Sequence, residues 1–153
     1  MNAATIQAID IRNEIKFVST FSNIAQLTEL YKAAALGDRS PDEIMKAFNN
    51  SKYSVFATHN GLLIGAGRAF GDEVDCAVIC DLAVNPKFQG TGLGGKILEA
   101  LKQKVRHHLR IILYAKPGVE DFYHKRGFRK MKTAMMCSFT LPEELGRDAG
   151  FIE

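Results

Sequence analysis

Few cysteines, no long apolar run and little excess charge mark this sequence, and each shortage removes a class of protein. Cysteine occurs only at Cys76, Cys80 and Cys137. An odd, sparse set does not make a disulfide framework. Cys76-x-x-x-Cys80 has no His or second Cys pair at zinc spacing, so the two read as small core residues and no metal is expected. No segment approaches the ~20 consecutive apolar residues that a bilayer span needs. The first residues, Met1 to Gln7, lack the basic start and apolar stretch of a secretory leader. Together these exclude a membrane partner and point to the cytoplasm. The net charge of +3 is too small to imply nucleic acid. A basic group, Lys102, Lys104, Arg106, His107, His108 and Arg110, falls at the end of a predicted helix, where cations complement the dipole, and reads as a solvated helix end. His59, His107, His108 and His124 make no triad with Ser or Cys, which argues against a covalent nucleophile. His124 reads as a helix-surface residue.

What is present is an ordinary globular composition: 153 residues, 46% hydrophobic and 24% charged, enough for one domain over residues 1–153. Residues 1–13 are weakly patterned, an irregular or short β lead-in. Glu14 to Ser19 alternates as a strand. Ser22 or Asn23 caps a helix with Ile24, Leu27, Leu30, Tyr31 and Ala34 on one face. Ser40-Pro41-Asp42-Glu43 is a complete helix start, with Ser40 as cap and Glu43 closing a capping box. Tyr53 to Thr58 and Leu62 to Phe70 are strands joined by Asn60-Gly61, a strong hairpin signal. Gly71-Asp72 turns into a third strand, Val74 to Val84. Leu93, Ile97, Leu98, Leu101 and Val105 form an apolar helical stripe. Ile111 to Ala115 is a buried-type strand, expected to run parallel to the one ending at Val84. Val119 to Arg126 is a short helix stopped at Gly127. Phe128 to Lys132 and Ala134 to Thr140 read as two final strands, and the tail from Pro142 as peripheral. The fold class is α+β, a mixed central sheet in the order β-α-α-β-β-β-α-β-α-β-β with helices packed on both faces.

The densest chemistry lies in Gln89-Gly90-Thr91-Gly92-Leu93-Gly94-Gly95, four of the chain's 13 glycines between a strand and a helix. Glycines let the backbone turn sharply and approach a ligand, and the following helix start offers unpaired N–H groups and partial positive charge. That is a design for a phosphate or pyrophosphate. Gly90-x-Gly92-x-x-Gly95 fits a dinucleotide fingerprint, but Asn85 to Phe88 separate it from its strand and no acid follows at the required distance. Gly90-x-x-x-x-Gly95-Lys96 fits a P-loop until Ile97, which offers no oxygen to magnesium. Gln89-x-x-Gly92-x-Gly94 is the third reading. It resembles the Q/R-x-x-G-x-G/A signature of the GNAT superfamily of acetyl-CoA-dependent N-acetyltransferases. Leu82-Ala83-Val84-Asn85-Pro86 resembles that family's strand end, and Phe122-Tyr123-His124-Lys125-Arg126-Gly127-Phe128 its "FYxxxGF" helix. The three motifs stand in family order from Ile79 to Phe128.

The resemblance implies a function and a set of residues. Gln89, Gly90, Thr91, Gly92, Leu93, Gly94 and Gly95 would hold the pyrophosphate of acetyl-CoA. The backbone of Leu82, Ala83 and Val84 would bind the pantetheine arm as an added strand, with one N–H polarising the thioester oxygen. Phe122 would pack around the arm, and the Tyr123 phenol would protonate the leaving thiolate. Asp81, alone among Cys80 and Leu82 in an apolar strand, must have a partner, a wet cleft or a raised pKa; the last two suit a base that accepts or relays the amine proton. Glucosamine-6-phosphate N-acetyltransferases carry a similar acid and usually a second beside it. Here the neighbour is Cys80, which weakens an aminosugar phosphate as substrate. The partners implied are acetyl-CoA and an amine acceptor: a small amine, an aminosugar or a protein amino group, with the segment Ala33 to Asp42 bordering its pocket. The resemblance also allows a homodimer. A non-catalytic acyl-CoA-binding regulator with the same fold is the rival reading.

Overall fold

The computed structural model describes residues 14–153, so the expected lead-in over residues 1–13 lies outside the described residues. The chain divides into two compact units, one running to Ile112 and one from Leu113 to Glu153. In the first, β1 (Ile15–Val18), α1 (Ile24–Ala33), α2 (Pro41–Asn49), β2 (Tyr53–His59), β3 (Leu62–Gly71) and β4 (Cys76–Val84) lead to α3 (Leu93–Lys104) and β5 (Arg110–Ile112). The five strands lie side by side in chain order. β1 to β4 pair antiparallel, and β5 joins β4 in parallel, Ala77 opposite Ile111. The sheet is therefore mixed, and the fold is α+β.

Local chemistry explains the boundaries. The Asn23 side chain accepts from the Gln26 N–H at 3.2 Å and starts α1. Ser40 Oγ accepts from the Glu43 N–H at 3.3 Å while Glu43 accepts from the Ser40 N–H at 2.8 Å, so both halves of the capping box form. Asn60 and Gly61 both have positive φ, 50° and 76°, as a tight hairpin of this hand requires. β4 begins at Cys76 rather than Val74 because Asp72 Oδ1 accepts from the N–H groups of Val74, Asp75 and Cys76, holding them in a turn.

The sheet is covered on both faces. Leu27, Leu30 and Tyr31 of α1 and Ile44 and Phe48 of α2 pack with Phe56, Ala66 and Ala83 on one face. On the other, α3 buries Leu93, Ile97, Leu98 and Leu101, each such side chain contributing about 1.5–3 kcal/mol. Two glycines of β3 allow that approach: a Cβ on Gly65 would stand 2.5 Å from Ile97 Cδ1, and one on Gly67 2.8 Å from Leu101 Cδ1.

Several local expectations are corrected. His108, expected in a solvated helix end, is buried: its Nδ1 lies 3.0 Å from the Val105 carbonyl, and its Nε2 accepts from the Glu73 N–H at 3.0 Å. This network fixes the neutral ring with the proton on Nδ1. Cys76 and Cys80 are half-buried rather than core residues, and Cys137 is exposed. β5 stops at Ile112, short of the expected Ala115. In the second unit, α4 (Glu120–His124) forms as expected, with Gly127 at φ 92° beyond it and His124 exposed. The two final strands do not form. Residues 129–145 are exposed and carry no ladder. Alternation expresses only a preference; a strand exists when a neighbour takes up its N–H and C=O groups. The tail instead makes α5 (Glu143–Asp148), with acids in its first turn and Arg147 in its last, as the dipole favours.

Candidate active site

The glycine loop is built by small braces. After β4, the Asn85 N–H donates to the Ile64 carbonyl at 2.9 Å, and residues Pro86–Phe88 form a single 3₁₀ turn. The Gln89 side chain donates back to the Val84 carbonyl at 3.2 Å, and the Thr91 hydroxyl to the Phe88 carbonyl at 2.6 Å. Gly90 and Gly92 lie in the left-handed region, φ 76° and 87°, and a Cβ on either would meet nothing within 4 Å. These two glycines serve conformation, not packing. Gly92 is the N-cap of α3 and supplies no side-chain acceptor to the helix. The first N–H groups of α3 therefore open on a cradle of bare backbone at the positive end of a 12-residue helix, which fits an anion such as a pyrophosphate.

The strand leading to that loop is distorted. Across β3 and β4, Ala66 faces Ala83 but Arg68 faces Cys80, so Asp81 and Leu82 share the place opposite Gly67. This is a bulge, and Asp81 sits in it at φ 54°. A non-glycine residue held there costs on the order of 1–3 kcal/mol, sustained only by its surroundings. The surroundings are two arginines. Arg39, from the α1–α2 connection, donates from Nη1 to Asp81 Oδ2 at 3.0 Å and from Nη2 to Oδ1 at 2.8 Å. Arg68 donates from Nε to Oδ2 at 2.6 Å and from Nη1 to the Ser51 hydroxyl at 3.0 Å. The Arg39 guanidinium also lies 4.9 Å over the ring of buried Tyr31, whose phenol is pushed far up by burial and then by the Asp81 charge.

Of the three alternatives open to Asp81, the structure supplies a partner. Burial pushes its carboxyl up, but the hydrogen bonds and charges of Arg39 and Arg68 outweigh burial and hold it below the usual carboxylate range. A general base works best with a pKa near the working pH and an oxygen facing its proton. Both Asp81 oxygens face guanidinium groups instead, an arrangement that suits ion pairing better than the base role expected of it. Sequence reading missed Arg68 altogether, since a lone arginine in a strand gives no local signal. Arg39 entered it only as part of the segment Ala33 to Asp42, a border of the acceptor pocket.

In the second unit, Tyr123 packs edge-on against Phe122 and Phe128, with ring centres 4.9 Å and 6.0 Å away. Burial raises its phenol above the ordinary value, so the proton stays on through the neutral range. Phe122 also carries the Arg126 guanidinium 3.9 Å over its ring.

One further cluster has metal-ligand composition: atoms of Glu73, His107 and His108 lie within 4.8 Å of one another. His108 already uses both ring nitrogens, and the Lys52 ammonium and the Tyr53 hydroxyl bond to Glu73 Oε2. These groups lock the β3–β4 turn to α3 and β2. Among the described residues, no helix is long and apolar enough to cross a membrane.

Comparison with known proteins identifies the family and the fold. Residues 20–137, spanning both units, match the acetyltransferase (GNAT) domain family. An uncharacterized ycf52-like N-acetyltransferase of Prochlorococcus marinus is 33% identical over 125 residues, 76% of this chain and 68% of its own length. The chloroplastic serotonin N-acetyltransferase 2 of Oryza sativa is 31% identical over 116 residues, 72% of this chain and 58% of that protein. Among solved structures, a probable acetyltransferase of Staphylococcus aureus superposes with a TM-score of 0.74 at 22% identity, over 82% of this chain and 99% of the other. With the family match covering residues 20–137, well over half of its length, the chain belongs to the GNAT family of acetyltransferases.

Proposed function

We propose that the protein is an acetyl-CoA-dependent N-acetyltransferase that moves the acetyl group directly to a primary amine. The observation that carries this is the uncapped start of α3, with left-handed Gly90 and Gly92, following the strand end Leu82–Val84. In this reading the backbone from Gln89 to Gly95 holds the pyrophosphate. The main chain of Leu82, Ala83 and Val84 holds the pantetheine arm and polarises the thioester carbonyl. A neutral amine attacks that carbonyl carbon, the C–S bond breaks, and Tyr123 gives its proton to the departing thiolate. The amine's proton leaves to solvent, since Asp81 is committed to its arginines. A small amine is the acceptor class to test first, because the rice relative aligned over 116 residues is named for serotonin. The reaction belongs in a soluble compartment, the cytoplasm or, as in that relative's name, a plastid.

The test is calorimetric titration with acetyl-CoA, with ATP and NAD as controls, followed by thiol release with a panel of arylalkylamines, aminosugars and lysine peptides. Binding of acetyl-CoA alone, with thiol release on one amine class, supports the reading. Binding of ATP or NAD without acetyl-CoA overturns it. Acetyl-CoA binding without turnover on any amine turns it into a regulator. With an active amine in hand, Tyr123→Phe should lower turnover about 100-fold while acetyl-CoA affinity stays within about twofold. Unchanged turnover removes Tyr123 from the mechanism.

A further inference from the structure

The distortion in β4 falls on a charged residue, and the charges that meet it come from distant parts of the chain. Arg39 lies 42 residues away and Arg68 13. Both Asp81 oxygens are engaged, in three guanidinium hydrogen bonds. Arg68 is paired with Cys80, at the last regular position before the bulge, so its Nε reaches Asp81 across the step where the register slips. Its Nη1 is tied in turn to Ser51, whose hydroxyl donates to the Ala47 carbonyl at the end of α2 at 2.8 Å. Arg39 is oriented by the ring of Tyr31 and brings the α1–α2 connection onto the same carboxylate. On the opposite face, Leu82 and Leu101 crowd the Gly67 position, where a Cβ would meet them at 3.3 Å and 2.8 Å. The bulge is gripped from both sides.

From this we infer that Arg39 and Arg68 are positioning residues: acting through Asp81, they clamp the β4 bulge so that the backbone N–H groups of Leu82 to Val84 stay aimed at the thioester carbonyl of the donor. The inference rests on the donor reading above. A bulge re-aims the residues that follow it, and Asp81 in the left-handed region has no intrinsic preference to stay there. The two guanidinium forks supply the restraint, and their fixed planes make lysine a poor substitute. The clamp also explains why the carboxylate is held ionised rather than poised to accept a proton.

The experiment compares calorimetric Kd values for acetyl-CoA and for CoA, which lacks the carbonyl, in the wild type and in Arg68→Met, Arg39→Met and Asp81→Asn. The clamp predicts that acetyl-CoA binding weakens about fivefold more than CoA binding, as expected for one misaligned hydrogen bond, because the two ligands share the pantetheine arm and the pyrophosphate and differ only in the thioester carbonyl. Arg68→Lys should behave like Arg68→Met. Equal weakening of both ligands, or unchanged binding of both, overturns the clamp. Asp81→Asn keeps shape and tolerates the left-handed region, so it provides the reading if an arginine variant fails to fold. A wild type that binds neither ligand overturns the donor reading, and the clamp with it. Normal wild-type binding with indifferent variants overturns the clamp alone.

Discussion

Two carboxylates, one just before β4 and one within it, share the same unusual backbone state and are used differently. Glu73 precedes the strand at φ 68°, and Asp81 lies inside it at φ 54°. Each is met by cations: Lys52 at Glu73, with the His107 ring 3.4 Å away, and Arg39 and Arg68 at Asp81. The Glu73 side chain is 36% exposed and the Asp81 side chain 14%. Exposed pairs are screened and contribute little, whereas removing one partner of a buried pair leaves a charge without compensation. At Glu73 a left-handed residue closes a turn, where such backbone is common. At Asp81 it interrupts a ladder, and the interruption passes to Leu82 and to the strand end before the glycine loop. The same local distortion is a detail of a hairpin in one place and a step in the strand that leads to the glycine loop in the other.

Glycine at each position removes the backbone cost and isolates the side chain, so the pair of variants can break the comparison. Asp81→Gly should lose about 2–3 kcal/mol, discounted for partial exposure, and lower Tm by about 5–10 °C despite the relaxed backbone. If melting shows no loss, the arginines do not depend on Asp81 and the contrast collapses. Packing at the Glu73 end is tested next by Gly71→Ala. Its Cβ would stand 2.6 Å from both the Cys76 carbonyl oxygen and His108 Nε2, and the backbone cannot rotate away. A loss of about 1–3 kcal/mol, or about 3–8 °C by calorimetry, is expected.

Acid titration separates the two carboxylates further. Bonds from Lys52 and Tyr53 lower the Glu73 carboxyl from 4.5 to about 2, and the arginines lower Asp81 against its burial. Groups with depressed folded-state pKa values stabilise fully above their unfolded values and lose that contribution as pH falls through the folded ones. Stability should therefore be flat from pH 7 to about 5 and fall below about pH 4.5, with Asp81→Asn flattening the fall more than Glu73→Gln in urea titrations. A larger effect from Glu73→Gln reverses the ranking. The smallest change is expected for Glu73→Gly, whose Tm should stay within about 2 °C of wild type because relief of the backbone offsets screened ion pairs.

Much of this molecule is legible locally. The capping box at Ser40, the hairpin at Asn60-Gly61 and the stripe from Leu93 to Val105 each specify an element through residues close in sequence, and each appears as read. The glycine loop belongs to the same class, since its backbone conformation is a property of Gly90 and Gly92 themselves. His108 illustrates the limit. Nothing near it in sequence reveals the Glu73 N–H that donates to its Nε2, so a helix-end histidine reads as solvated when it is buried. The strands expected over residues 128–140 fail for a related reason: alternation describes one chain segment, while a ladder requires two.

By itself the sequence determined the element order as far as α4, the parallel return of β5, the glycine cradle and the family. The elements follow from short-range sterics, capping and periodicity, which act within a few residues, and the family from the resemblance of the three motifs. Only the tertiary structure decided that β4 is bulged at Asp81, and that Arg39 and Arg68 converge on its carboxylate across 42 and 13 residues. Register is a relation between strands, and the ionisation of a buried carboxylate is set by whatever charge folding brings beside it. Neither quantity exists until the chain has folded.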